Sequence, residues 1–222
     1  MKILYIYRMI FNEESASKIA NYLLQIKAIK LQPSNLFTWA SGLKSPIYCD
    51  NRKILSYPDI RKYVKSRLAA SIKSKYGKPD VIAGVETGAI AHGALVAVEL
   101  NLPFIYVRSK VKTHGLQNRI EGDLQPGQNV VVVEDLISTG GSSLNAVKAI
   151  REESCKVLGM TAIFTYGFDV AVDNFAADDC ELVTLCDYNV LIKEALKESY
   201  IDSKEYEVLK IWRENPGLVK LA

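Results

Sequence analysis

Two adjacent carboxylates, Glu134 and Asp135, close a run of four valines, Val130 to Val133. Small hydroxyl and glycine residues follow them: Ser138, Thr139, Gly140, Gly141, Ser142 and Ser143. Ionised carboxylates accept hydrogen bonds from hydroxyls. Glycines let a backbone turn tightly, and the N–H groups at the start of a following helix form an anion site. Acids beside such a cradle suit a ligand with a phosphate at one end and free hydroxyls at the other, a sugar phosphate. The same pattern also serves as plain α/β scaffolding, so its neighbours decide. Neither GxxxxGK[ST] nor GxGxxG occurs in the chain, so the Walker lysine loop and the dinucleotide fingerprint are absent.

Three other stretches could share the chemistry. Residues 108–120 carry Arg108, Lys110, Lys112 and Arg119 with His114 and no acid, a local charge of +4. Long polar loops in compact domains are usually functional or disordered, and Gly115 and Gly122 suit a mobile basic lid over a polyanion. Glu86, Thr87 and Gly88 follow a short apolar run and could form a second anion loop or a simple turn. Residues 36–52 mix aromatics, small residues and charges, with Lys44, Tyr48, Asp50 and Arg52 in a segment of no clean period. That is either a site loop or a surface hairpin. His92, inside a helical pattern, reads as a packed or solvated histidine.

The elements that must position these residues are regular. An uninterrupted β-branched run suits a parallel strand covered on both faces. Strands are expected at 79–85, 102–107, 129–133, 156–164 and 181–186. Helices are expected at 13–30, capped by Ser15 or Ser17, at 57–76, where Pro58 suits the first turn and Gly77 stops it, and at 89–100, 144–153, 189–199 and 203–213. Residues 108–128 and 166–179 read as polar connections. Strands alternating with helices predict an α/β fold: one doubly wound, mainly parallel five-stranded sheet. Its core would span about 57–186, with a small hood from about 13–56 and 187–215, in a single domain over 1–222. In such sheets ligands bind outside the carboxyl ends of the strands.

Composition narrows the partners. The chain has 222 residues and a net charge of +3, from 28 basic and 25 acidic side chains. That is too mild a balance for nucleic acid as the main partner. Cys49, Cys155, Cys180 and Cys186 show no CxxC spacing, and the chain holds only 2 histidines. A structural zinc site is therefore not expected, and reduced, packed cysteines suit a cytoplasmic protein. No apolar run is long enough to span a bilayer. The start, MKILYIYRMIF, carries Lys2 and Arg8 and no small-residue cleavage site, so it does not read as a signal peptide. Met9 offers an alternative start that would leave the preceding residues as an appendage.

Acid pair, cradle and cationic lid fall at one edge of the expected sheet. Displacing pyrophosphate from a sugar carbon builds positive charge on the ring and negative charge on the leaving group. Carboxylates near the ring favour the first and lysines near the leaving oxygens the second. Mg²⁺ would screen the pyrophosphate as Lewis acid and template, held mainly by substrate, with no protein ligand assigned.

VVVVEDLISTGGSS resembles the ribose-phosphate signature of type I phosphoribosyltransferases. FTWASGLKSPIYCDNR and YVRSKVKTHG resemble further motifs of the orotate-using members. The resemblance runs from about residue 13 to about residue 215. It implies conversion of orotate and phosphoribosyl pyrophosphate to orotidine 5′-monophosphate and pyrophosphate, in pyrimidine synthesis. It also implies a homodimer in which the basic loop of one subunit reaches the other's site. By position, Arg108, Lys112 and His114 would contact the pyrophosphate end, and Glu134 and Asp135 the ribose hydroxyls. Leu136, Ile137, Ser138, Thr139, Gly140, Gly141 and Ser142 would wrap the 5′-phosphate, with Ser138 near orotate, and Glu86 to Gly88 would match the pyrophosphate loop. Lys112, His114, Glu134 and Asp135 are thus the catalytic candidates. The chain departs from many relatives at Ser109 and Ala40, where they have Lys, and from some at 165–167 (Thr-Tyr-Gly), where they have Arg. Arg52 and Lys44 are the candidates to replace the missing cations at the orotate carboxylate. The competing readings are a purine or xanthine phosphoribosyltransferase, and a regulator that binds the phosphoribosyl donor without turning it over.

Overall fold

A computed structural model describes residues 10–39, 42–109 and 119–216. Lys110, Lys112, His114 and Ala40 lie outside the described residues, as do residues 1–9. In chain order the elements are α1 (Glu13–Gln25), β1 (Ile29–Leu31), β2 (Phe37–Thr38), β3 (Lys44–Ser45), β4 (Ile47–Cys49), a 3-10 helix (Asn51–Ser56) and α2 (Pro58–Tyr76). Then come β5 (Val81–Val85), α3 (Ala89–Leu100), β6 (Phe104–Val107), β7 (Ile120–Glu121), β8 (Asn129–Ile137) and α4 (Gly141–Glu152). The chain closes with β9 (Lys156–Thr165), α5 (Asp169–Ala177), β10 (Leu182–Asp187), α6 (Tyr188–Lys197) and α7 (Ser203–Glu214).

Alternation along the central strands builds two cores, one on each face. Val81, Ala83, Val130 and Val132 pack into one; Ile82, Val131 and Val133 pack into the other. The first is completed by Leu144, Val147 and Ile150 of α4 and Phe175 of α5. The second is completed by Ile60, Val64, Leu68 and Ile72 of α2, and by α1, α6 and α7 through Leu23, Leu191 and Trp212. Burying both faces this way removes the apolar strands from water, the dominant favourable contribution to such a fold.

The sheet has six strands in the order β10-β9-β8-β5-β6-β7. The five parallel strands are the expected ones. The sixth, β7, runs antiparallel to β6 inside the stretch expected to be loop. It forms because Ile120, half-buried against the α4-side core, anchors Glu121 opposite Tyr106.

The structure corrects other boundaries. The first helix stops at Gln25, with Lys27 at φ 53, and Ile29 is buried by pairing with Cys49 in β4. Its cap is Asn12, whose Oδ1 accepts the Ser15 N–H at 2.8 Å, so neither Ser15 nor Ser17 is the capping residue. The expected connection at 166–179 contains α5, where Ala171 and Phe175 are buried, with its cap Phe168, at helical spacing. The N- and C-terminal segments meet: Asn21 Nδ2 donates to Glu194 Oε2 at 2.9 Å, and Trp212 Nε1 to the Lys44 carbonyl at 3.3 Å.

Candidate active site

The sheet order fixes where a ligand can enter. β5 pairs with β6 on one side and β8 on the other. The chain leaves β5 into α3 on one face and leaves β8 into α4 on the opposite face. A crevice opens where the connections diverge, at the carboxyl ends of β5 and β8. Glu86 to Gly88 lie on one side of it and Ser138 to Gly140 on the other.

β8 does not end at the acids. Its ladder with β9 continues through Glu134↔Ala162, Leu136↔Phe164 and Ile137↔Thr165, because Leu136 and Ile137 return apolar side chains to the sheet. Glu134 therefore points into the fold and Asp135 to the opposite, open side. Glu134 is buried, accepting the Asp135 N–H at 2.9 Å and the Ser143 hydroxyl at 2.9 Å. Burial, and then the charge of Asp135, pushes its carboxyl well above the usual carboxylate range. Asp135 is only half-buried and lies directly over Gly88, where a Cβ would collide with its carboxyl group. Asn51, fully buried, donates from Nδ2 to the Asp135 carbonyl at 2.6 Å and accepts the Cys49 thiol at 3.4 Å. The amide of Asn51 stood out less in the sequence than its charged neighbours Asp50 and Arg52.

The bend expected to cradle a phosphate is shorter than the sequence suggested. Leu136 and Ile137 belong to β8, and the Ile137 carbonyl accepts the Tyr166 N–H at 3.1 Å and the Thr165 hydroxyl at 3.3 Å. Ser138, Thr139, Gly140, Gly141 and Ser142 remain to form it. α4 begins at Gly141 rather than near Leu144, with Gly140 at φ 81 as its cap. The first N–H groups of a helix have no intrahelical partner, which leaves those of α4 free to hold an anion. α5 buttresses this bend: Asn174 Nδ2 donates to the Thr139 carbonyl at 2.9 Å, and a Cβ on Gly140 would stand 2.7 Å from Phe175 Cε2.

Across the crevice, the Glu86 carboxylate accepts the Ser109 N–H at 2.8 Å and its hydroxyl at 3.0 Å. The Ser109 N–H, more than Arg108, holds the Glu86 carboxyl below its usual value. The Glu86–Thr87 peptide is cis. Arg108 reaches Glu121 at 3.4 Å and Glu86 at 4.0 Å, which puts it beside the loop at 86–88. Lys112 and His114, the other lid candidates, lie outside the described residues.

At the far end the picture is mixed. Arg52 donates from Nε to Asp50 Oδ1 at 2.6 Å, is mostly exposed, and feels the charge of Asp135. Lys44 extends along its hairpin to the Thr38 hydroxyl at 2.7 Å, and no described contact joins it to the acids. Tyr166, where some relatives carry Arg, is buried as the hub of an aromatic cluster: its ring lies 5.1 Å from Trp39, 5.5 Å from Phe168 and 5.6 Å from Phe164. Among the described residues no group of three or more His, Cys, Asp or Glu side chains converges as a metal cage. No described helix is long and apolar enough to cross a membrane.

Comparison with known proteins agrees with this geometry. Residues 53–195 match the family model described as "Phosphoribosyl transferase domain". An orotate phosphoribosyltransferase from Phocaeicola vulgatus is 60% identical over 198 residues, covering 89% of this chain and 93% of that protein. One from Porphyromonas gingivalis is 58% identical over 198 residues, covering 89% and 94%. The crystal structure of orotate phosphoribosyltransferase from Aeropyrum pernix superposes with a TM-score of 0.72 at 25% identity, covering 83% of this chain and 99% of that one.

Proposed function

This chain belongs to the phosphoribosyl transferase family, and on that premise we propose that it is an orotate phosphoribosyltransferase with one site at the switch point between β5 and β8. It transfers the 5-phosphoribosyl group from phosphoribosyl pyrophosphate to orotate, releasing pyrophosphate and forming orotidine 5′-monophosphate for pyrimidine synthesis in the cytoplasm. The observation that carries the chemistry is the placement of Asp135 over Gly88, between the two loops. One half-buried carboxylate thus faces both the sugar bound by the cradle and the pyrophosphate bound across from it.

The described geometry, together with the resemblance, supports the following roles. Residues Ser138 to Ser142 bind the 5′-phosphate with backbone N–H groups and hydroxyls at the start of α4. Asp135 accepts ribose hydroxyls, and Glu134 braces it through the Asp135 N–H. Thr87, Gly88 and Arg108 face the pyrophosphate, and Lys112 and His114 of the lid close on its leaving oxygens. Their contact strengthens as charge develops there, which is what accelerates the step. In a homodimer, each subunit supplies that lid to its partner. Ser138 borders the base, and Arg52 meets the carboxylate of orotate, with Lys44 the more remote candidate. Mg²⁺ is the cofactor of this reading. A small hard cation that binds one or two carboxylates and substrate phosphates suits a site whose described residues form no protein cage; when bound it supplies charge screening and Lewis acidity. Residues 1–222 form a single domain, its hood built from the segments before residue 57 and after residue 186.

The deciding experiment is a pyrophosphate-release assay with orotate, phosphoribosyl pyrophosphate and Mg²⁺, with hypoxanthine and xanthine as control acceptors. Release that depends on orotate alone is expected. Release driven by a purine, or none with any base, would overturn the assignment.

A further inference from the structure

β5 and β6 are last paired at Val85↔Val107. One more bond continues the ladder, from the Glu86 N–H to the Val107 carbonyl at 2.9 Å. Past it, one chain enters the loop at 86–88 and the other reaches Arg108 and Ser109. On the β7 side the Arg108 N–H donates to the Arg119 carbonyl at 2.7 Å, so Arg108 is held by its backbone. Ser109 lies beyond both ladders, which end at Val107. The Glu86 side chain supplies what the ladders do not. Its Oε2 accepts both the Ser109 N–H at 2.8 Å and the Ser109 hydroxyl at 3.0 Å. Two donors of one residue meeting on one carboxylate oxygen fix that residue's orientation as well as its distance, and such charge-assisted bonds are the stronger kind. Any residue but proline offers the N–H; a serine adds a hydroxyl close enough to its own backbone to reach the same oxygen.

Arg108, between the two held residues, is not fully engaged. Glu86 Oε1 stands 4.0 Å from its Nε, too far for a hydrogen bond. Its Nη1 reaches Glu121 at 3.4 Å, and its Nε is buried with no hydrogen-bond partner. Glu86 thus directs its strong contacts to Ser109 and leaves the guanidinium incompletely paired beside the loop at 86–88. We propose that Glu86 is a positioning residue: by clasping Ser109 it sets Arg108 against Thr87 and Gly88, so that the groups facing pyrophosphate are assembled before it binds. A site assembled in advance loses less freedom on binding, which raises its affinity. The inference rests on the reading that Thr87, Gly88 and Arg108 face the pyrophosphate, and it gives Glu86 a separate role within that reading.

Isothermal titration of the full chain with magnesium pyrophosphate and, separately, with orotidine 5′-monophosphate tests it. The second ligand carries sugar, 5′-phosphate and base but no pyrophosphate. Glu86→Ala is expected to weaken pyrophosphate binding about 10-fold or more, the scale of a hydrogen bond to a charged group, and to leave orotidine 5′-monophosphate near wild type. Glu86→Gln, whose amide oxygen accepts the same two donors, should recover most of that loss. Ser109→Ala removes the hydroxyl and keeps the N–H, so it should weaken pyrophosphate by about 3-fold and add nothing further in the Glu86→Ala background. Equal weakening of both ligands, or a Ser109→Ala effect of the same size without Glu86, overturns the proposal. So does wild-type pyrophosphate affinity in Ser109→Ala, a change at an exposed residue that decides the matter even if Glu86→Ala does not fold. A wild type that binds pyrophosphate but cannot turn over orotate would instead sink the functional assignment and leave the clasp standing.

Discussion

At the residue scale the two acids divide the work by exposure. Glu134 is buried between the Asp135 N–H and the Ser143 hydroxyl, whereas Asp135 is open to the crevice. The folded state therefore binds a proton at Glu134 more tightly than the unfolded chain does. Stability falls as pH rises from the usual carboxylate range toward the raised folded value. Glu134→Gln keeps both hydrogen bonds, since the serine hydroxyl can accept from the amide. It should raise Tm at pH 8, by about 2–4 °C for each kcal/mol relieved, and the gain should vanish toward pH 4. Thermal melts across that range check it; a gain independent of pH would contradict the burial argument. Lys112→Ala is expected to lower the single-turnover rate by about 100-fold or more with a smaller change in donor affinity, because its contact grows in the transition state. Rapid-quench kinetics decide this, and an unaltered chemical rate would remove Lys112 from the reaction. Arg52→Ala should weaken orotate binding by about 10-fold, the worth of one charge-assisted hydrogen bond; an unchanged orotate KM would clear Arg52 from the pocket.

At the element scale, a helix not expected from the sequence shapes the bend proposed to cradle the phosphate. α5 supplies Asn174 to the Thr139 carbonyl and Phe175 against Gly140. Gly140 holds φ 81, a conformation costing about 1–2 kcal/mol for any residue with a Cβ. Gly140→Ala adds a contact at 2.7 Å with Phe175 Cε2. The variant should lose several degrees of Tm and bind the phosphoribosyl donor at least about 10-fold more weakly. Adding Phe175→Leu should restore part of the stability by clearing the contact. Isothermal titration and thermal melts on the single and double variants measure both effects. A Gly140→Ala protein of wild-type affinity would show that the bend does not hold phosphate. α3 plays the matching role across the crevice: a Cβ on its Gly93 would stand 3.1 Å from Gly84 Cα. Glycine at both positions lets the helix settle on β5 and deliver Gly88 beneath Asp135.

At the scale of the whole molecule, the proposed homodimer makes a sharp prediction. Lys112→Ala and Asp135→Asn should each be nearly inactive alone. If the lid serves the partner's site, a mixed dimer has one intact site, formed by the lid of one subunit and the acid of the other. Unfolding and refolding an equimolar mixture should then recover about a quarter of wild-type activity, since half the dimers are mixed and each holds one good site of two. Absence of recovery in a mixture whose mixed dimers are verified by mass spectrometry would place the lid over its own subunit's site.

Local pattern was enough for the five parallel strands of the sheet. Five parallel strands were legible because β-branched runs such as Val130 to Val133 have no stable place except between two apolar layers. The acids, the glycine-serine bend and the basic stretch were legible because their chemistry is carried by residue type. What the sequence left open depends on partners distant along the chain. β8 runs through Glu134 and Asp135 because β9 offers Ala162 and Phe164 as register partners. Ile29 is a strand residue because Cys49 pairs with it. Tyr166 is an aromatic hub because Trp39 and Phe168 surround it. Asn51 reaches Asp135, 84 positions on, only because the 3-10 helix packs against β8. Residue type is encoded one position at a time, whereas proximity is decided by which strands pair, and here the β5–β8 pairing brings Gly88 beneath Asp135.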